Sequence, residues 1–334
     1  MRTHAYFKRP QSKGDWPLRL LHSASFRIDP TPPFDFRLTV KKPSGWDLFT
    51  PGEIFREGTL WTGIRFDRTP IGLRIDSSGT VEEPHLLVGV YSAKALPGRL
   101  RDGVPVRVAE SLGAAQNLRE FYDFAARDSI LKHVVDDLYG MHDTQTVSLF
   151  NSVVLSICLQ MARLKRSNEM MEAINGKYGD ILEFDRKRVL LQPDAARIAR
   201  LDPTTFAKAC KLGYRAKYIV ASARMIVGGF PRMDEIMSMS PADAKDKLME
   251  LPGVGDYAAD IINPHGGFPI DAWSVDVFGL LFFGKEPKDH RKAIGRVKRE
   301  GIRRWGRWSW MAFFYIAQDL HNLSSRLGME LRLE

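Results

Sequence analysis

The sequence predicts an α+β protein that is mainly α: an N-terminal antiparallel β-subdomain followed by a two-lobed helical bundle that contains a helix–hairpin–helix. Short β-rich runs between turn residues fill the first third of the chain. Helical periodicity then continues almost to the last residue. Because 334 residues are too many for one ordinary core, we expect two or three subdomains.

Residues 1–110 are expected to form the β-rich subdomain. Residues 1–20 are basic and interrupted by Pro and Gly, which is typical of an extended arm or a first edge strand. Asp76–Gly79 is typical of a hairpin turn. The candidate strands are FRID, FDFRLTV, TLWTGIRF, IGLRID and LLVGVYS. We predict a small antiparallel sheet with a structural role.

Residues 111–334 are expected to form the helical domain. The stretch Thr146–Ala162 is apolar nearly all round, which predicts the central buried helix of a bundle. Further on, two helical patterns flank a glycine-rich turn, which places a hairpin at 242–262. A break at Pro264–Gly267 follows, and after it an apolar helical pattern extends over Ala272–Phe283.

The turn of the predicted hairpin has the composition of a phosphate-binding turn. Its two glycines, one residue apart, allow a tight turn and let another backbone approach without a Cβ in the way. The turn amides and the N-terminus of the next helix favour an anion. We predict that this element holds a nucleic-acid backbone without reading its sequence. Its residues are Leu251, Pro252, Gly253, Val254 and Gly255.

Bulk composition agrees with a soluble protein that has a polyanionic partner. The net charge is +9 and the pI is near 9.5. The two cysteines, Cys158 and Cys210, lie far apart in apolar helical patterns, which argues against a disulfide framework or a cysteine metal site. The N-terminus has no apolar signal core, and no run approaches the length of a membrane span. We expect an intracellular protein without a cofactor and without a membrane partner.

The order of hairpin, Gly/Pro-rich loop and aspartate resembles the helix–hairpin–helix DNA glycosylase superfamily. The segment Leu212–Ile219, followed by Ser222-Ala223-Arg224, resembles a corresponding segment of 8-oxoguanine glycosylases. The β-rich start resembles the subdomain of the 3-methyladenine and 8-oxoguanine branch. This resemblance implies base excision from duplex DNA after a damaged base has flipped out of the helix. It also allows a monovalent cation at the hairpin backbone 250–255, but no other metal.

Two aspartates compete for the catalytic role that the resemblance implies. Asp271 follows Phe-Pro-Ile at the start of an apolar helix, as the essential aspartate of the superfamily does. A carboxylate there stabilises the charge that develops on the deoxyribose and orients or deprotonates water. Asp276, in Val-Asp, lies at a distance from the hairpin closer to that of endonuclease III relatives. We prefer Asp271 and keep Asp276 as the alternative.

Tyr257 decides the reaction type. Bifunctional members of the superfamily place a lysine at this position, second after the last glycine of the hairpin, and it forms a Schiff base before the strand is nicked. A tyrosine forms no Schiff base, so we predict a monofunctional enzyme that leaves an abasic site. Tyr257 and Trp273 are expected to line the base pocket.

Further DNA contacts are expected around the helix that ends near Gln160. The superfamily has a Ser-Gln-Gln-like run there, and its glutamine fills the gap left by the flipped nucleotide. Here the run reads Leu159-Gln160-Met161, so either Gln160 or an apolar wedge formed by Met161 takes that role, while Gln160 also suits a simple helix-end residue. His290 lacks a partner at metal-ligand spacing and is expected on the surface. The other expected DNA contacts are Arg163, Arg215 and Lys217.

These features together predict a monomeric, monofunctional DNA glycosylase of base excision repair. The absence of the lysine makes an alkylated purine such as 3-methyladenine the first choice of substrate. The alternatives are an 8-oxoguanine or mismatch glycosylase and a non-catalytic DNA-binding protein that kept the scaffold. A base-release assay separates the enzyme from the binding protein.

Overall fold

A computed structural model describes residues 17–44, 52–144, 148–263 and 265–331 of the protein. The predictions for residues 1–16, for Thr146 as the first residue of the apolar helix and for Pro264 lie outside the described residues.

The described part of the chain contains two β-sheets. The strands are β1 (Leu18–Arg19), β2 (His22–Ile28), β3 (Ile54–Arg56), β4 (Thr59–Phe66), β5 (Thr69–Gly79), β6 (Pro84–Ser92), β7 (Asp180–Phe184) and β8 (Lys187–Leu191). The larger sheet has the order β2-β6-β5-β4-β3, and all its neighbours are antiparallel. The smaller sheet has the order β1-β7-β8, with β1 parallel to β7 and β7 antiparallel to β8.

Helices make up most of the rest. They are α1 (Phe36–Lys41), α2 (Gly98–Ser111), α3 (Arg119–Ala125), α4 (Leu149–Leu159), α5 (Leu164–Tyr178), α6 (Ala195–Ala199), α7 (Pro203–Cys210), α8 (Arg215–Val227), α9 (Met233–Met237), α10 (Pro241–Met249), α11 (Asp256–Ile262), α12 (Ser274–Phe283), α13 (His290–Trp305), α14 (Ser309–Gln318) and α15 (Leu320–Leu327). The α+β class with a small N-terminal antiparallel sheet is confirmed.

Two local predictions in the β-subdomain are wrong. The run FDFRLTV was expected as a strand, yet α1 occupies most of it. The Asp35 side chain accepts the Leu38 amide at 2.8 Å, and this cap starts the helix. Its buried residues, Phe36, Thr39 and Val40, have the spacing of one helical face. The alternation of apolar and polar residues therefore gave a false strand signal.

The second error concerns the turn at Asp76–Gly79. These residues continue β5, and their ladder with β6 extends to the pair Gly79–Pro84. On the other side, the Thr59 hydroxyl donates to the Asp76 carboxylate at 2.7 Å. The chain reverses after Gly79, where the Thr80 hydroxyl accepts the Glu83 amide at 3.1 Å. Cross-strand bonds therefore hold the turn-forming residues Asp76, Ser77 and Ser78 in the strand, and only Gly79, with a φ of +84°, begins the reversal.

Two hydrophobic clusters divide the helical part into lobes. The first lobe comprises helices between Leu149 and Ile262, and α4 lies at its centre with buried residues on every side. The second lobe combines residues 118–141 with residues 268–331, so its core is built from two separated segments. The chain therefore passes from the second lobe into the first and returns after α11.

The β-subdomain does not end at a simple boundary. Val104 and Val108 of α2, which extends to Ser111, pack into the core of the larger sheet. The hairpin of β7 and β8 comes from the first lobe, yet Leu182 and Val189 form a cluster with Trp61 of β4. The β-rich and helical parts therefore follow each other along the chain but are interleaved in their packing. The domain boundary at residue 110 stays a prediction.

Three expectations from the sequence concern membrane-spanning helices, metal sites and disulfides. Among the described residues, no helix has the length and apolar character needed to cross a membrane. The same part of the chain contains no cluster of three His, Cys, Asp or Glu side chains arranged to hold a metal ion. Cys158 and Cys210 are both free and buried, each in a helix of the first lobe.

Candidate active site

A cavity of about 560 Å³ lies where residues of the two lobes face each other. Leu155 and Ile262 of the first lobe and Trp310 and Phe313 of the second lobe contribute to its walls. Its size is in the range of pockets that enclose small ligands. Six of the candidate residues from the sequence line this cavity: Met161, Arg163, Tyr257, Asp271, Trp273 and Asp276.

Asp271 lies just before α12 and is held there by that helix. Its Oδ1 accepts the backbone amides of Trp273 and Ser274 at 3.0 and 2.9 Å and the Ser274 hydroxyl at 2.9 Å. Among the described residues, no donor bonds Oδ2. One carboxylate oxygen therefore fixes the side chain, and the other is available to a molecule in the cavity.

Asp276 lines the same cavity from within the first turn of α12. Its Oδ1 lies 3.0 Å from Nε2 of His290, the first residue of α13. Burial raises the pKa of Asp276, while His290 acts in the opposite direction. His290, expected only as a surface residue, is about half exposed and also lines the cavity. Asp276 therefore lies beside an imidazole at the cavity edge, and the contact is an ion pair only when both ring nitrogens of His290 carry a proton.

Tyr257 lies on α11 and lines the same cavity as Asp271. Burial raises the pKa of its hydroxyl well above the usual range, and the negative charge of Asp271 adds to this shift. The phenol is therefore neutral at physiological pH. A neutral phenol beside Asp271 provides a wall and a hydrogen-bond donor, but no amine.

The predicted hairpin consists of α10, a turn at residues 250–255, and α11. Gly253 has a φ of +84°, and a Cβ on it would lie 2.7 Å from Cβ of Tyr218 on α8. The Pro252 carbonyl accepts the Ser222 hydroxyl at 2.8 Å, and the Gly253 carbonyl accepts Nε2 of Gln160 at 2.7 Å. Contacts from α8 and from Gln160 at the end of α4 therefore hold the turn by its carbonyls. At Gly255, by contrast, no described atom lies within 4 Å of the position that a Cβ would take.

The two wedge candidates differ in their surroundings. Because Gln160 donates to the hairpin, its amide is engaged inside the protein. Met161, the next residue, is 72% exposed and has a φ of +49°, which is rare for a side chain of this size. The backbone thus turns the methionine outwards at the mouth of the cavity, and this arrangement favours Met161 over Gln160 as the wedge.

The basic residues predicted to contact DNA have different environments. Arg215 donates to the carbonyls of Ile157 and Gln160 at the end of α4, so it orders the loop that carries Met161. Lys217 is exposed, with its Nζ 4.8 Å from the centre of the Tyr218 ring. Arg163 is exposed at the start of α5 and lines the cavity. Lys217 and Arg163 keep exposed cationic groups, whereas the Arg215 guanidinium is largely used within the protein.

A buried ionic cluster, which sequence patterns did not indicate, ties the hairpin to the second lobe. Asp260 on α11 is only 2% exposed. It accepts Nζ of Lys245 on α10 at 2.7 Å and also bonds Nζ of Lys298 on α13. Asp256 bonds the same two lysines from a more exposed position. Burial alone would lower the pKa of Lys245, but the bonds to the two aspartates raise it.

The cavity wall also contains polar residues that no pattern in the sequence singles out. Lys42, Asp143 and Gln318 are almost completely buried and line the cavity. They come from segments more than a hundred residues apart in the chain, so no spacing rule connects them. A lysine after a β-rich run is also common on protein surfaces. Only the tertiary structure brings them together.

Comparisons with known proteins agree on one group of enzymes. The chain is 26% identical over 223 residues to the DNA-3-methyladenine glycosylase of Bacillus subtilis (strain 168), covering 66% of this chain and 73% of that protein. No family model matches the chain.

Solved structures show the same fold at low identity. The 3-methyladenine DNA-glycosylase from Archaeoglobus fulgidus aligns with a TM-score of 0.70 and 21% identity, covering 91% of this chain and 99% of that chain. The Clostridium acetobutylicum 8-oxoguanine glycosylase/lyase, in complex with double-stranded DNA containing cytosine opposite 8-oxoguanine, aligns with a TM-score of 0.66 and 18% identity, covering 93% and 99%.

Proposed function

We propose that this chain is a member of the helix–hairpin–helix DNA glycosylase superfamily and a DNA N-glycosylase of base excision repair, which hydrolyses the bond between a damaged purine and its deoxyribose. The observation that carries the proposal is the position of Asp271. Its carboxylate is fixed by two backbone amides at the wall of the cavity that residues of both lobes line.

The chemistry that this site supports follows from where positive charge develops. As the bond from C1′ to the base breaks, the sugar becomes oxocarbenium-like, and a nearby carboxylate lowers the energy of that state. The free Oδ2 of Asp271 is suited to this role and to accepting a proton from the attacking water. The apolar and aromatic walls lower the local dielectric, which strengthens the interaction.

The hairpin and Met161 are proposed to bind the DNA duplex and hold it open. The turn at residues 250–255 presents its outer edge to solvent because its carbonyls at Pro252 and Gly253 are bonded inwards. Phosphate contacts of this kind position a protein without selecting sequence. Extruding a base costs a few kcal/mol, and an apolar wedge offsets part of that cost. A monovalent cation at the backbone 250–255 remains a prediction.

Met161→Ala is expected to lower the rate of base release about tenfold when the lesion is paired. The decrease should be smaller when the lesion lies opposite an abasic site. The reason is that the wedge supports extrusion, which is easiest when the base has no partner. Single-turnover rates on the two duplexes measure this difference. Met237→Ala, which truncates another exposed methionine, is the matched control and should behave as the wild type. Equal losses on both duplexes would argue against a wedge.

We propose that Tyr257 makes the enzyme monofunctional. Incubation with a lesion duplex is expected to give abasic sites that break only after alkali, and borohydride should trap no protein–DNA complex. Tyr257→Phe is expected to keep most base release, because a neutral phenol contributes a wall rather than a nucleophile. A covalent complex trapped with the wild type would contradict this and point to another lysine.

The proposed function as a whole is tested by a panel of duplexes, each carrying one lesion: alkylated purines, 8-oxoguanine, hypoxanthine, uracil or a thymine mismatch. Release of a base, detected as alkali-labile sites, is the expected result. DNA binding without release from any duplex would favour the non-catalytic DNA-binding protein. Gel filtration of the same preparation tests the expected monomer.

A further inference from the structure

The ionic cluster that ties the hairpin to the second lobe has one member that faces solvent. Each of its two lysines bonds both of its aspartates, so the four side chains form a closed ring. The exposed fraction of the side chain is 61% for Asp256, 23% for Lys245, 15% for Lys298 and 3% for Asp260. An anion that approaches from solvent therefore meets the Asp256 carboxylate before it reaches either ammonium group.

The two carboxylates act on opposite sides of the lysines. Asp260 is buried and bonds Nζ of both Lys245 and Lys298, so it can hold their positions from the inside without Asp256. An ammonium has three N–H donors, and each lysine uses only one of them on Asp260. Asp260 therefore positions the two lysines, and Asp256 neutralises the side of them that faces outwards.

Asp256 binds the lysines as a phosphate group would. Its Oδ1 accepts Nζ of Lys245 at 2.6 Å, and its Oδ2 accepts Nζ of Lys298. The two non-bridging oxygens of a DNA phosphate can accept the same two donors, and lysine is a common ligand of phosphate. Burial acts to raise the pKa of Asp256, but the hydrogen bonds from both lysines keep it below its usual range, so this side chain is an anion at neutral pH. The aspartate thus has the charge and the paired oxygens of a bound phosphate.

The cluster lies beside the turn that is proposed to bind DNA. Asp256 directly follows Gly255, the last residue of the turn, and the space around Gly255 is open. Lys298 belongs to α13, on which Arg291 and Arg299 are exposed. Neither arginine forms an ion pair within the part of the chain that the structure describes. A DNA strand that passes from the turn to α13 therefore crosses Asp256 and then meets a helix with unpaired positive charge.

A carboxylate at this place is unfavourable for DNA binding. It repels a neighbouring phosphate, and the two ammonium groups and two carboxylates of the ring sum to zero charge. Lys245 and Lys298 therefore give no net attraction to DNA while Asp256 is bound to them. An exposed ion pair also contributes little to stability, because solvent screens it. Stability alone thus does not account for Asp256 on a surface proposed to bind a polyanion.

We propose that Lys245 and Lys298 form a binding site for a DNA phosphate and that Asp256 occupies this site in the free protein, so that a phosphate displaces Asp256 when DNA binds. This inference rests on the proposed function, because its ligand is the DNA that the enzyme acts on. It adds side-chain contacts from α10 and α13 to the backbone contacts expected from the turn. Asp256 is in this view an internal competitor of DNA.

Such a competitor limits the affinity for undamaged DNA. A displaced Asp256 keeps its negative charge near the strand, so the exchange gains less than a phosphate contact with two free lysines would. Phosphate contacts carry no sequence information, and each of them adds to binding at every site along the DNA. A glycosylase has to leave undamaged sites in order to find a lesion. Weaker phosphate binding beside the hairpin favours that search.

Binding of an undamaged duplex at several salt concentrations tests the proposal. At about 0.1 M salt, Asp256→Asn should bind the duplex about five- to tenfold more tightly than the wild type, because one more phosphate is neutralised. The slope of log K against log salt should become steeper by about 0.9. Asp246→Asn is the matched control, because it removes an exposed carboxylate of α10 that bonds neither lysine, and it should bind as the wild type does.

Inorganic phosphate probes the same site without DNA. At constant ionic strength, phosphate should raise the Tm of Asp256→Asn more than that of the wild type, in which the carboxylate occupies the site. Adding Lys298→Met to Asp256→Asn should abolish both this effect and the gain in DNA affinity. Adding Lys208→Met instead removes an exposed lysine from α7 in the first lobe and should preserve both.

The outcomes separate the inference from the proposed function. Equal DNA affinities for the wild type and Asp256→Asn would overturn the inference, and so would equal gains for Asp256→Asn and Asp246→Asn, which would be an effect of net charge. A gain that persists with Lys298→Met would overturn it as well. In these cases base release by the wild type would leave the proposed function standing. No DNA binding by the wild type or the variant would overturn both. If the protein with Lys298→Met does not fold, Lys245→Met takes its place, with the same expected result.

Discussion

Replacing Asp271 by asparagine is expected to lower the rate of base release by about 10³-fold while DNA binding stays close to that of the wild type. The asparagine side-chain oxygen can still accept the amides of Trp273 and Ser274, so the start of α12 is preserved. The variant lacks only the negative charge that we propose faces the sugar. Single-turnover release from the preferred lesion duplex and a binding titration measure the two quantities separately.

Asp276→Asn is the matched control for this experiment. Asp276 lines the same cavity from the same helix, but its carboxylate lies against His290 at the cavity edge. We expect a change of no more than about threefold, the size of a lost partly exposed ion pair. Loss of activity with Asp276→Asn and not with Asp271→Asn would keep the function and move the catalytic carboxylate five residues along the chain.

Replacing Asp260 by asparagine is expected to lower the free energy of unfolding by about 3–5 kcal/mol and Tm by about 6 °C. The carboxylate is 2% exposed and bonds Lys245 and Lys298, so its neutralisation leaves two lysines together beside one remaining carboxylate. Because these lysines belong to α10 and α13, the hairpin should also become less firmly attached to the second lobe. Thermal unfolding and denaturant titration provide the measurement.

Asp256→Asn tests whether burial is the reason. Asp256 bonds the same two lysines, yet its side chain is 61% exposed. Solvent screens an exposed ion pair, so we expect a loss of about 1 kcal/mol or less. Comparable losses in the two variants would show that the number of ion pairs, and not the buried position of Asp260, determines the stability of this cluster.

Local sequence signals were sufficient where neighbours in the chain decide the structure. The strand predicted from TLWTGIRF matches β4 residue for residue. The glycines of the hairpin predicted a turn between two helices, and Gly253 has the positive φ that makes a glycine necessary there. The aspartate after Phe-Pro-Ile lies at the start of an apolar helix and reaches a cavity. In each case a few adjacent residues carry the physical cause, a turn or a cap.

Predictions from local sequence failed where contacts with residues far away in the chain determine the secondary structure. The alternation of apolar and polar residues in FDFRLTV is compatible with a strand as well as with a helix. The Asp35 cap and the packing of Phe36 and Val40 select the helix. Asp76 and its neighbours are turn formers, yet pairing with β4 and β6 keeps Asp76 in the sheet, and pairing with β6 keeps Ser77 and Ser78 there. These residues have weak preferences of their own, so the larger energy of tertiary packing prevails.

The sequence by itself therefore determined the α+β class, the hairpin, the candidate aspartate and the tyrosine second after the last hairpin glycine, because each is encoded within a short run of residues. The tertiary structure alone brought Lys42, Asp143 and Gln318 to the wall of one cavity and joined Lys245, Asp260 and Lys298 in one buried cluster. Contacts between segments so far apart depend on how the two lobes pack, and no local preference of the chain specifies that packing.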